Sequence, residues 1–158
     1  MTRTYPSGFA VAGLLFVFTT AIAPTRLAIA AEAIAKQDTN EPGVTAELAE
    51  AKREEGVLTI RLVLRNAGDK PVTLNAINSR NFDSYYVMAG NKKYFILRDS
   101  EKTPLAVQAD GSGTVRATIQ PGGQWTWWAK YPAPPADVKK VSYVTPLTAP
   151  FDNVPLKD

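Results

Sequence analysis

The 158-residue chain contains neither cysteine nor histidine. Without cysteine it has no structural disulfide, no thiol nucleophile and no thiolate metal site. Lipid attachment through an N-terminal cysteine is excluded in the same way, so a soluble product is expected. Without histidine it lacks the usual general base, the usual partner of a catalytic serine and the commonest metal ligand. Neither sign of charge is in large excess. The formal net charge is +3, from 18 Lys and Arg against 15 Asp and Glu. Arg3 and Arg26 belong to the N-terminal segment discussed next, and setting them aside leaves 16 against 15. Lys92-Lys93 and Lys139-Lys140 are short pairs beside strand patterns rather than a basic stripe, so no nucleic-acid partner is expected.

Residues 1–30 read as a signal peptide. Arg3 is the positive n-region, Gly8 to Ala23 the apolar h-region, and Ala28-Ile29-Ala30 an A-x-A cleavage signal. The apolar run falls short of the roughly 20 residues of a spanning helix, and Pro24 interrupts it. Contact with a membrane is therefore expected only through this transient segment, and the mature chain is expected to be periplasmic or secreted. Residues 31–43, small and polar and ending in Pro42-Gly43, read as a flexible leader. Residues 44–158 are left as the folded domain, long enough to bury a core without disulfides.

From Val44 the pattern is that of β-structure. In "VLTIRLVLRN", residues 57–66, Leu58, Ile60, Leu62 and Leu64 share one face, and Thr59, Arg61, Val63 and Arg65 the other. "NAGDKP" follows as a turn, then a strand over 72–77. Residues 44–52 carry Ala, Glu and Leu, which favour helix, but the following "REEG" and the neighbouring strand argue for a hairpin. Further strands are expected over 85–89, 94–98, 114–119, 124–131 and 138–144. A short edge strand between Pro150 and Pro155 is expected to resist pairing with other chains. The fold class is all-β, an immunoglobulin-like antiparallel β-sandwich of about seven to nine strands.

All three tryptophans lie in "QWTWWAKYP", residues 124–132. Alternation puts Trp125, Trp127, Ala129 and Tyr131 on one face and Thr126, Trp128 and Lys130 on the other. The indoles therefore cannot form one flat platform. Trp127 is expected in the core and Trp128 partly exposed, unless a bulge after Pro121-Gly122-Gly123 exchanges the faces.

The hairpin "LTIRLVLRNAGDKPVTL", the strand entered by Pro-Gly-Gly and left by Trp-Trp-Ala-Lys-Tyr-Pro, the run "PPADVKKVSYVTP" and the closing "PFDNVPL" resemble a group of exported bacterial immunoglobulin-like domains. Many of these are lipoproteins or secreted antigens, mostly without an assigned activity. The resemblance spans about residues 44–156 and implies the sandwich fold. It supplies no catalytic residue. The chain departs from the group in lacking a lipobox cysteine, a disulfide and an attached second domain.

No catalytic constellation emerges. Ser84, Ser100, Ser112 and Ser142 sit in no nucleophile motif, and "DGSG" around Ser112 reads as a tight turn. Asp83, Asp99, Glu101 and Asp110 are loop acids that could serve glycoside hydrolysis only at a working separation, and no calcium-loop motif is present. The expectation is a non-enzymatic exported module, with no cofactor or metal, that contacts a protein or envelope component. The alternative is a carbohydrate-binding module using exposed aromatics. The aromatic stretch 78–95 and the tryptophan strand supply the preferred contact residues, Arg80, Asn81, Tyr85 and Trp128.

Overall fold

A computed structural model gives the architecture and describes residues 1–2 and 32–158. Apart from its first two residues, the proposed signal segment lies outside the described residues. The rest is all-β. One antiparallel sheet is built from β1 (Ala35–Asp38), β2 (Val44–Glu54), β3 (Val57–Asn66) and a later strand, β8 (Gln124–Pro132), in the order β1-β2-β3-β8. Between them in sequence run β4 (Val72–Ile77), β5 (Tyr86–Ala89), β6 (Lys92–Phe95) and β7 (Val115–Ile119). β9 (Lys140–Val144) and β10 (Phe151–Pro155) close the chain. The second sheet has the order β10-β9-β5-β6, and β4 pairs with β7 as a separate antiparallel ribbon.

The alternation of β3 is realised as expected. Leu58, Ile60, Leu62 and Leu64 are fully buried, while Arg61 and Arg65 face solvent. β3 pairs in register with β8, placing Leu62 opposite Trp127 and Arg61 opposite Trp128. Trp127, Ala129 and Tyr131 therefore join the same interior, and Trp128 is 38% exposed on the outside. No register exchange follows the Pro-Gly-Gly turn.

Aromatic side chains tie the two sheets together. The Trp127 indole stacks on Tyr85 at 4.2 Å and 24°. Its Nε1–H donates to the Tyr143 hydroxyl at 3.0 Å. The Tyr131 hydroxyl lies 3.4 Å from that of Tyr143, and Tyr85 donates to the Ala76 carbonyl at 2.6 Å. Among the described residues no buried side-chain polar atom is left without a partner, which removes the main cost of burying hydroxyls and an indole N–H.

Two differences from the sequence expectation concern strands. Residues 35–38, assigned to the flexible leader, form β1 and pair with Thr45–Leu48 of β2. Backbone hydrogen bonding decides the outcome for this polar segment, with Ile34 N–H donating to the Leu48 carbonyl at 2.7 Å. The strand expected over 94–98 instead runs from Lys92 to Phe95. Ala89 pairs with Lys92 across a tight turn, and the chain then leaves the sheet, with Leu97 N–H bonding to Lys130 of β8 at 2.8 Å.

Bulges account for spacings that do not look like strand. The register of β2 shifts between Leu48 and Glu50, so Leu48 and Ala51, three apart, both point inward. The strand expected over 44–52 thus forms despite its helix-favouring composition. The register of β10 also shifts between Phe151 and Val154, with Asn153 at φ 56°, and both apolar residues are buried.

Candidate functional site

Among the described residues, a cleft of about 460 Å³ opens between loops. Its walls include Arg80, Phe82, Arg98, Glu101, Lys102 and Asp110. Two five-residue turns frame it, Asp99–Thr103 and Asp110–Thr114, and their hydrogen bonding is the same. In each, the N–H of the first residue donates to the carbonyl of the fifth, at 3.0 Å and 2.9 Å. The N–H of the fourth donates to the aspartate carbonyl, at 3.0 Å and 2.9 Å. The aspartate Oδ1 then accepts from the backbone N–H of the third and fifth residues, between 2.8 and 3.0 Å. Asp and Thr at the ends of such a loop satisfy its backbone without outside help.

The fourth position must adopt a left-handed backbone. In the second turn it is Gly113, at φ 81°; in the first it is Lys102, at φ 66°. Glycine is the default residue there, and a side chain is a cost. Gly113 has a further reason to be glycine. Arg80 lies across it, donating its own N–H to the Gly113 carbonyl at 2.8 Å, and a Cβ on Gly113 would overlap the Arg80 Cγ. Ser79 and Arg80 are themselves left-handed, at φ 50° and 57°. Two basic residues on the cleft wall are thus held in a backbone conformation that L-residues avoid.

The electrostatics are uneven. Arg98 is engaged, donating to the Lys102 carbonyl at 3.2 Å and pairing with Asp83 at 3.4 Å. The Ser112 hydroxyl, 2.6 Å from Asp110 Oδ1, is the main cause that holds the Asp110 carboxyl below its usual range; a backbone hydrogen bond from Thr114 adds to it. Among the described residues Arg80 and Lys102 form no ion pair. The cleft therefore presents two uncommitted cations, and the buried Phe82 adds apolar surface beside them.

The four contact residues expected from sequence scatter. Arg80 lines the cleft. Asn81 is exposed beside it, its N–H bonded to the Asn78 carbonyl at 3.0 Å and its carbonyl accepting from Ser84 Oγ at 2.8 Å. Tyr85 is a correction. It is fully buried against Trp127 and offers nothing to a partner. The same alternation that turns Val87 inward turns Tyr85 inward too, and leaves Tyr86 on the surface. Trp128 is exposed on the outer face of the first sheet, between Thr126 and Lys130, and does not line the cleft.

Sequence reasoning did not single out Lys102, and it met Phe95 only as one aromatic of the stretch 78–95. The repeat of Asp-x-x-x-Thr at 99–103 and 110–114 was available as a signal for Lys102. Phe95 is 45% exposed and forms a cross-strand row with Tyr86 and Val144. The Tyr86 and Phe95 rings are tilted by 55°, so they make no flat stacking platform. Lys93 Nζ sits 4.3 Å over the Tyr86 ring.

No family model, curated protein or solved structure matches the chain.

Proposed function

We propose that the mature chain is a non-enzymatic, exported binding module, an immunoglobulin-like β-sandwich whose turn-framed cleft contacts a protein or envelope component. The arrangement of the sheets supports the fold part of this reading. Two four-stranded antiparallel sheets contribute Trp127 and Tyr131 from one and Tyr143 from the other to one aromatic interior, as the inner faces of a sandwich do. The tryptophan that fills the core comes from β8, and no inter-sheet disulfide accompanies it.

The observation that carries the functional part is the placement of Arg80 and Lys102. Both are basic, both line the cleft, and both occupy left-handed backbone that the fold itself does not require to be basic. Strain held at a concave surface is a pointer to binding. A photo-crosslinking residue at Asn81, with one at Glu55 outside the cleft as control, tests this in the native host. A discrete envelope adduct from position 81 and none from 55 is expected. No adduct specific to position 81 overturns the reading.

A second reading, a carbohydrate-binding module, is favoured by the exposed indole of Trp128 on the outer face of the first sheet. A glycan array probed with the processed domain and with Trp128→Ala separates the two. Sugar binding lost in that variant supports the second reading, and no binding removes it.

A further inference from the structure

We infer that the cleft between the two aspartate turns is a carboxylate site, in which Arg80 and Lys102 receive an acidic side chain of a protein partner. This rests on the binding-module reading and adds the chemistry of the contact.

The two turns serve as each other's control. They share one hydrogen-bond pattern, so the local fold asks the same of position 102 as of position 113. Gly113 answers with glycine and makes room for the Arg80 side chain. Lys102 answers with a cation, at a conformational cost that glycine would avoid. Nothing in the turn makes use of the Lys102 ammonium, since the bonds that close the turn come from the backbone and from Asp99. Arg80 is likewise bonded through its backbone, leaving the guanidinium without an anion among the described residues. Two cations lining one cleft, with apolar Phe82 among its walls, suit a planar anion approached by a fork of N–H donors.

The remaining charges narrow the class. Glu101 also lines the cleft, and Asp110 stays ionised there. With Arg98 paired to Asp83, those two carboxylates offset the charges of Arg80 and Lys102, so extra negative charge on a ligand gains little and the fork of N–H donors decides what fits. The site is therefore a poor sink for polyanions and a suitable one for an isolated Asp or Glu. An acidic residue set in a neutral segment fits best, and binding weakens as salt rises.

The test uses the processed chain and three probes: a terminally blocked peptide with one glutamate among alanines and serines, its glutamine analogue, and inorganic phosphate. Amide resonances of Thr103 and Gly113 are followed at low salt. The glutamate peptide is expected to shift both with a Kd of about 1 mM or tighter, while the glutamine analogue and phosphate at equal concentration leave them in place. Lys102→Gly and Arg80→Asn each keep a residue suited to left-handed backbone. Each is expected to weaken the glutamate peptide roughly tenfold, the size of one charge-assisted hydrogen bond. Lys102→Gly should do so with the thermal midpoint unchanged or raised, an outcome that a purely structural role does not give. Equal shifts by the glutamate and glutamine peptides, stronger shifts by phosphate, no shift at all, or full affinity in Lys102→Gly overturns the inference. If the Asn81 crosslink persists in both variants, the module stands and the carboxylate site falls. If the peptide binds but no crosslink forms, the site stands and the partner reading falls.

Discussion

The interior around Trp127 and the cleft around Arg80 solve opposite problems. In the interior β3 and β8 send their large side chains where alternation directs them, and among the described residues every buried side-chain polar atom has a partner. At the cleft, three consecutive or facing residues (Ser79, Arg80 and Lys102) hold φ values that cost energy, and two charges lack partners among the described residues. The interior is what local rules and burial produce when nothing else is asked of them. The cleft keeps arrangements that stability alone would remove, and such departures concentrate where a protein meets something else.

The largest effect should separate two adjacent tryptophans. Trp127 has no exposed surface, stacks on Tyr85 and donates to Tyr143. Trp127→Ala should cost about 3–5 kcal/mol, from lost burial, the remaining cavity and the lost hydrogen bond to the Tyr143 hydroxyl. Trp128→Ala, one residue away on the outer face, should cost less than about 1 kcal/mol. Denaturant unfolding of the two variants compares them directly. Similar losses would show that the outer face is as tightly packed as the inner one.

High pH tests the interior as a unit. Burial is the main cause that pushes the hydroxyl pKa values of Tyr85, Tyr131 and Tyr143 above the ordinary tyrosine range. The folded state holds these protons after an unfolded tyrosine, with its pKa near 10, has released its own. Their contribution is therefore complete below about pH 10 and is lost as pH rises beyond it. Each buried tyrosine should remove about 1.4 kcal/mol of stability per pH unit in that window. Tyrosinate absorbance and unfolding should then rise together and cooperatively. Early titration of three tyrosines in a still folded chain would mean that water reaches the core.

Most of this interior was legible in the sequence, because period-two alternation is a local property. "VLTIRLVLRN" and "QWTWWAKY" each state which side chains go inside, and pairing β3 with β8 only confirms what both say. Where alternation was interrupted, legibility failed. β2 reads as a strand despite its helix-favouring Ala, Glu and Leu, but the bulge after Leu48 left no mark in the sequence. Tyr85 follows a short 3₁₀ turn over Phe82–Ser84, and its position next to polar residues suggested a surface it does not have. β1 could not be read because its side chains are polar and its pairing with β2 comes from the backbone. The cleft was legible only in pieces. Arg80 stood out as a loop arginine, but its neighbour across the cleft, Lys102, lies 22 positions further along a charged run. "DSEKT" does not look like "DGSGT" until both backbones are seen to fold alike.

The smallest effect is the most informative about the cleft, and it comes from the two turns themselves. Gly113→Ala places a Cβ in left-handed backbone and against the Arg80 side chain, and should cost about 1–2 kcal/mol. Lys102→Gly releases the same conformation in the first turn while giving the unfolded chain more freedom. The two contributions oppose each other and are each of order 1 kcal/mol, so the net change should lie between zero and a gain of that size. Thermal unfolding of the two single variants measures both. If Lys102→Gly instead destabilises as much as Gly113→Ala does, the lysine side chain is holding the turn together. Lys102 would then belong with the residues of the interior, as a structural part of the fold, and the contrast between the two regions would shrink to Arg80 alone.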